Sequence, residues 1–192
     1  MMRYILAGIL VLVVVAVGVL TFEWYRNQNS AVAFGAPFEL VDHNGETITE
    51  AAFQGSPTAV FFGFTHCPEV CPTTLFELDG WLDQMGESGE EVDAFFVSVD
   101  PERDTAEVMK TYLENVSDRI TGITGDPESV AAMIKDFHVF ARKVELENGD
   151  YTMDHTASIM LFDRQGDFFG TIAYEENPDT AIAKLHRLVN EG

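Results

Sequence analysis

The run Thr58-Ala59-Val60-Phe61-Phe62-Gly63-Phe64, entered through Gly55-Ser56-Pro57, is apolar from end to end over the length of one strand. A strand without polar alternation offers no face to water, so it reads as a central strand covered on both sides. That demand already selects a sheet with helices packed on it. Val92 to Val99 reads as a second buried strand. Between the two, Leu75, Leu78, Leu82 and Met85 recur at helical spacing from Pro72 onward, and Gly86 ends the pattern.

The rest of the chain fills in around this pair. Phe38-Glu39-Leu40-Val41 reads as extended and turns at Asn44-Gly45 toward Thr47-Ile48. Thr105 to Asn115 and Pro127 to Phe137 carry helical patterns, with Asp104 or Thr105 as the first cap, Asp126 as the second, and Pro127 in a first turn. Val139 to Glu145, Ser158 to Phe162 and Phe168 to Tyr174 read as strands, the last two joined at Asp163-Arg164-Gln165-Gly166, and Pro178 to Asn190 closes the chain as a helix. Strand, helix, strand, helix, then a late hairpin and a terminal helix describes an α/β sandwich on a mixed sheet. The thioredoxin-like fold has that order.

Every residue from Tyr4 to Phe22 is apolar, Gly or Thr. As a helix this run is long enough to cross a hydrocarbon core roughly 30 Å thick. Arg3 before it, and Trp24 and Tyr25 just after it, predict a cytoplasmic N-terminus and an exported remainder. The expected division is a transmembrane anchor over 1–22, a tether over 23–35 and one soluble domain over 36–192. A cleaved signal peptide ending near Ala16-Val17-Gly18 is the alternative, although the apolar run exceeds the usual ~7–15 residues of such a peptide. The expected location is the inner (cytoplasmic) membrane, single pass, with the soluble domain in the periplasm or an equivalent exported compartment.

The formal charge is −21, from 32 acidic and 11 basic residues, which argues against a nucleic-acid partner because phosphate binding needs clustered Lys and Arg. An acidic surface favours solubility, and it can also steer a basic partner or a cation.

Only two cysteines are present, Cys67 and Cys71, in Phe64-Thr65-His66-Cys67-Pro68-Glu69-Val70-Cys71-Pro72. Four positions apart at a strand-to-helix junction, two sulfurs can grip one soft metal ion. A disulfide needs Cβ atoms roughly 3.5–4.5 Å apart, closer than an undistorted helical turn provides, so the spacing favours a metal clip without excluding a redox pair. A pair of small buried hydrophobes is the bland alternative. A helix N-terminus at this point favours thiolate over thiol.

Gly63-Phe64-Thr65-His66-Cys67-Pro68-Glu69-Val70-Cys71-Pro72-Thr73-Thr74 resembles the metal-binding motif of the Sco (SenC-type) copper proteins, membrane-tethered thioredoxin-fold proteins that serve cytochrome c oxidase assembly. Ser98-Val99-Asp100-Pro101-Glu102-Arg103-Asp104-Thr105, Ile123-Thr124-Gly125 and Tyr151-Thr152-Met153-Asp154-His155-Thr156-Ala157-Ser158 are similar to later blocks of that family, in order. The resemblance implies copper, as Cu(I) and Cu(II), with Cys67 and Cys71 as sulfur ligands and His155 as the third. It implies as partner the copper-bearing subunit of cytochrome c oxidase, or another copper chaperone. Soft thiolates select Cu(I), and imidazole adds affinity for Cu(II), so the chemistry agrees. His66 is the substitute third ligand. Asp154 reads either as an orienting neighbour of His155 or as a local turn acceptor, and Met153 as a packing residue.

Two other function classes stay open. A thiol-disulfide oxidoreductase would use the same cysteines, although thioredoxin-type enzymes separate theirs by two residues and three intervene here. A peroxidase would place a Thr two residues before its reactive cysteine, as Thr65 stands before Cys67, but has no need of His155.

Overall fold

The computed structural model describes residues 37–192 except 148, together with residues 17, 18 and 21. The apolar run expected to cross the membrane lies almost wholly outside the described residues. Among the described residues no helix is long and apolar enough to cross a membrane.

The central strand forms as its composition requires. β3 (Thr58–Gly63) is buried at every position, and its parallel neighbour β4 (Asp93–Ser98) is buried after its first residue. With β1 (Glu39–Asp42), β2 (Thr47–Thr49), β5 (Ile120–Thr124), β8 (Ile159–Phe162) and β9 (Phe168–Ile172) they make a seven-stranded sheet in the order β2-β1-β5-β4-β3-β8-β9. β3, β4 and β5 run parallel, whereas β1, β8 and β9 join antiparallel, so the sheet is mixed as expected. β6 (Ala141–Glu145) and β7 (Tyr151–His155) form a separate two-stranded ribbon.

The register divides the phenylalanines between the two faces. On one face, Phe53, Phe62, Phe95, Phe137 and Phe162 make tilted, edge-on and, between Phe53 and Phe162, stacked contacts with centroids 4.9–6.2 Å apart. On the other, Phe61 stacks on its register partner Phe96, and Phe96 on Tyr112. Each buried phenylalanine contributes on the order of 2–3 kcal/mol, so a core of this kind needs no disulfide.

Helix α1 (Val70–Gln84) begins two residues before the expected Pro72 and buries Cys71, Leu75, Leu78 and Leu82. Helix α2 (Ala106–Leu113) is capped by Thr105, whose hydroxyl accepts from the Val108 N–H at 3.3 Å. Helix α3 (Pro127–Asp136) is capped by Asp126, and α4 (Pro178–Glu191) by Asn177.

Two strands were not legible as such. β5 is interrupted by Gly122, where a Cβ would lie 2.9 Å from Leu113 and 3.1 Å from Met109. The glycine lets α2 lie close on the sheet and at the same time breaks the apolar run. β7 carries Thr152 and Asp154 and has no fully buried position, so it lacks the pattern that marks a strand.

Candidate metal centre

β3 delivers the chain at Gly63 into the cysteine loop. A Cβ at position 63 would sit 2.9 Å from the Cys71 Sγ and 2.8 Å from the Phe96 ring. Glycine here is the space that the sulfur occupies. Cys67 lies in the loop, half-buried, and Cys71 in the first turn of α1, fully buried. The Cys67 Sγ accepts the Cys71 backbone N–H at 3.3 Å, so one sulfur stands over the positive end of the helix that carries the other.

The two thiols are unequal. A hydrogen bond from the Cys71 thiol, against the cost of burial and with help from His155 and the N–H groups of Cys71 and Glu69, brings Cys67 down to about 4. The same hydrogen bond, together with burial, pushes Cys71 up. Above the lowered value Cys67 is a thiolate while Cys71 keeps its proton. Alkylation of the reduced, metal-free chain by iodoacetamide is therefore expected to mark Cys67 alone, at a rate nearly constant from about pH 6 to 9 and falling only toward pH 4. Mass mapping after limited reaction checks this. A rate that climbs about tenfold per unit up to pH 8.5, as for a free thiol, would remove the asymmetry.

His155, at the end of β7, meets these sulfurs. Its Nε2 is 3.6 Å from the Cys71 Sγ, and its Nδ1 is 2.9 Å from the Thr156 carbonyl oxygen. A carbonyl only accepts, so Nδ1 carries a proton and Nε2 is the nitrogen left facing the sulfurs. Phe61 and Phe64 meet the imidazole edge-on at 6.0 and 5.7 Å. Metal-bound Cys and His donors of this kind lie about 2.3 and 2.0 Å from an ion, taking zinc bond lengths as a guide. Two such bonds at a trigonal or tetrahedral angle separate S and N by roughly 3.5–3.7 Å, so the Cys71–His155 pair is spaced for a shared ion. Among the described residues no three His, Cys, Asp or Glu side chains are already gathered about one point. Cys67, whose sulfur already interacts with both the Cys71 thiol and His155, would complete the set.

The supports of this arrangement include residues whose roles the sequence did not reveal. Asp104, expected as a helix cap, is fully buried and caps nothing. Its carboxylate accepts from the Thr65 N–H at 3.1 Å, the Thr65 hydroxyl at 2.6 Å and the Ser98 hydroxyl at 2.7 Å, fastening the cysteine loop to β4. Desolvation raises its pKa, and these hydrogen bonds oppose the rise. Asp154 does not orient His155: it is exposed and takes Arg142 at 3.0 Å, while the Thr156 carbonyl holds the imidazole. Thr156 also closes the base of the ribbon, its N–H donating to the Phe140 carbonyl at 2.9 Å and its hydroxyl accepting from the Phe140 N–H at 3.1 Å.

A latch holds the ribbon down. Arg103 pairs through Nε with the buried Asp100, donates from Nη1 to the Tyr151 carbonyl at 3.0 Å, and lies 3.7 Å from the centre of the Tyr151 ring. The Tyr151 hydroxyl donates to Asp100 at 2.9 Å, and Lys143 also lies over the ring, at 3.7 Å. His66 is exposed, with Nδ1 3.2 Å from the Thr65 hydroxyl, and makes no hydrogen bond to either sulfur among the described residues. Met153 packs against the core, and His43 accepts the Gly122 N–H at 2.9 Å as a structural residue.

Comparison with known proteins gives a consistent picture. The family model described as SCO1/SenC matches residues 26–190. The chain is 37% identical over 137 residues to the mitochondrial SCO1 homolog 1 of Arabidopsis thaliana, covering 71% of this chain and 41% of that protein. It is 32% identical over 163 residues to the mitochondrial SCO2 protein of Saccharomyces cerevisiae, covering 83% of this chain and 54% of that protein. It thus spans about half the length of these two relatives. Among solved structures, that of Bradyrhizobium japonicum ScoI with copper bound superimposes with a TM-score of 0.75 at 47% identity, covering 81% of this chain and 99% of that one. With the family model spanning the cysteine loop, the Asp100 to Asp104 turn and the His155 ribbon together, the chain belongs to the SCO1/SenC family.

Proposed function

We propose that this chain binds copper through Cys67, Cys71 and His155 and delivers it to the binuclear copper centre of cytochrome c oxidase during assembly. The observation that carries the reading is the 3.6 Å spacing of the Cys71 Sγ and an imidazole Nε2 whose other nitrogen is committed to the Thr156 carbonyl. Copper is the cargo. Two sulfurs supply the soft set that Cu(I) prefers, and the neutral imidazole supplies the borderline donor that Cu(II) tolerates, so one site accommodates both oxidation states. The receiving partner is the oxidase's copper-bearing subunit or another copper chaperone. The chain would be held at the inner membrane by residues 1–22, on the tether 23–35, with the domain 36–192 in the periplasm or an equivalent exported compartment.

The thiol asymmetry supports a second reading, a thiol-disulfide reductase that maintains the cysteines of the same target. The Cys67 thiolate would attack a partner disulfide, releasing one partner thiolate and forming a mixed disulfide. Cys71, once deprotonated, would displace the second partner sulfur. Two electrons pass to the partner, and Cys67–Cys71 remains as a disulfide. The peroxidase reading loses support because the Thr65 hydroxyl is committed to Asp104 at 2.6 Å and is not free to serve Cys67.

Copper stoichiometry and peroxide turnover measured on one purified sample test these readings. One copper per chain with peroxide consumption at background is expected. Catalytic peroxide consumption without copper retention would overturn the copper reading.

A further inference from the structure

The surface beside Cys67 is apolar at its centre and acidic at its edge. Phe76, on α1 beyond Cys71, is 61% exposed, and with Pro72, Thr73 and Glu77 it lines a groove of about 370 Å³. Tyr174 and Glu175 stand on the turn that follows β9. Glu175 holds a φ of 58°, a conformation uncommon for a residue with a side chain. In the same turn the Glu176 carboxylate accepts from the Ala173 N–H at 2.8 Å and pairs with Lys184 at 2.7 Å. Glu69, at the N-cap of α1, and Thr73, Phe76 and Glu77 follow one another at helical spacing and so share one face, at the helix end over which the Cys67 Sγ stands. Desolvation, followed by the charges of Glu175, Glu69, Glu77 and Cys67, also pushes the Tyr174 phenol up. Glu69, Glu77 and Glu175 have no cationic partner among the described residues.

We infer that this face is the docking surface for a protein partner that presents lysine or arginine side chains around its own exposed cysteine or methionine sulfurs. The inference rests on the copper reading, since only a soft donor takes Cu(I) from sulfur. Such a donor must approach from the side of Cys67, because Cys71 is fully buried. Three unpaired carboxylates on a chain of charge −21 attract a basic rim, and an exposed phenylalanine beside a groove supplies the apolar anchor that interfaces place at their centre.

The test uses the full chain in detergent micelles and two synthetic peptides, each with two cysteines three residues apart, one flanked by lysines and one by glutamates. Association is followed by stopped-flow fluorescence at several ionic strengths, and Cu(I) binding of every variant is titrated alongside. The lysine-flanked peptide is expected to associate faster, with a rate that falls steeply as salt rises. The double variant Glu77→Gln/Glu175→Gln should slow that association about three- to tenfold at low salt and flatten its salt dependence. Phe76→Ser should leave association unchanged and speed dissociation severalfold. If the double variant associates as the parent does, or the glutamate-flanked peptide binds equally well, while Cu(I) is still held one to one, the docking surface is wrong and the copper reading stands. Failure of the parent chain to hold Cu(I) would instead overturn the reading beneath it.

Discussion

Cys67→Ala and Cys71→Ala are each expected to lose tight one-to-one Cu(I) binding while keeping the fold. Binding free energies of structural metal sites with four ligands are on the order of 10–16 kcal/mol. Removal of one thiolate from a set of three should cost about 4 kcal/mol, close to three decades in affinity. The two variants should differ in stability. Cys67 is half-buried at the loop, whereas Cys71 fills the space that Gly63 leaves, so Cys71→Ala opens a small void beside Phe96 and should lower stability by about 1 kcal/mol. Competition titration with a Cu(I) chelator and a denaturation curve for each variant check both statements. Tight stoichiometric Cu(I) in both single variants would move the site elsewhere.

His155→Ala is expected to separate the oxidation states. Imidazole matters more to Cu(II) than to Cu(I), so Cu(II) affinity should fall at least about a hundredfold and Cu(I) affinity by about tenfold. The Cu(II) absorption and paramagnetic resonance signals should be lost or changed in type, with protein levels normal. His66→Ala, by contrast, should leave both ions bound, since His66 faces the Thr65 hydroxyl. A Cu(II) spectrum unchanged in His155→Ala and lost in His66→Ala would make the adjacent histidine the third ligand.

The parts of this protein visible in its sequence are those set by a strong local signal. Thr58 to Phe64 could only be a covered strand, and Asp126-Pro127 could hardly begin anything but a helix. The cysteine loop was legible because only two cysteines exist and their spacing has chemical meaning. What remained hidden depends on contacts between distant residues. Asp104 has the sequence setting of a helix cap, yet it reaches back 39 residues to Thr65 and leaves the cap to Thr105. Asp154 stands next to His155 in sequence, but side chains alternate along a strand, so it faces Arg142 instead. Gly63 looked like one more apolar position in a run, since nothing local announces that a sulfur needs its missing Cβ. The pairing of Arg103 with Tyr151 spans 48 residues and had no sequence signal beyond membership in two separate charged or aromatic blocks.

The ribbon that carries His155 shares no hydrogen-bonded ladder with the main sheet. An isolated two-stranded hairpin is marginal in water, so the position of this one depends on Arg103, Asp100 and Tyr151, together with the packing of Met153. The imidazole therefore acts on the sulfurs as a tethered ligand, and its effective concentration above them depends on the latch as well as on the ring's own contacts with Thr156, Phe61 and Phe64. Release of the latch would dilute the third donor while both sulfurs stayed in place. The hold on an ion can thus be relaxed from the other end of the strand that carries His155, with no change to the atoms that would touch the metal.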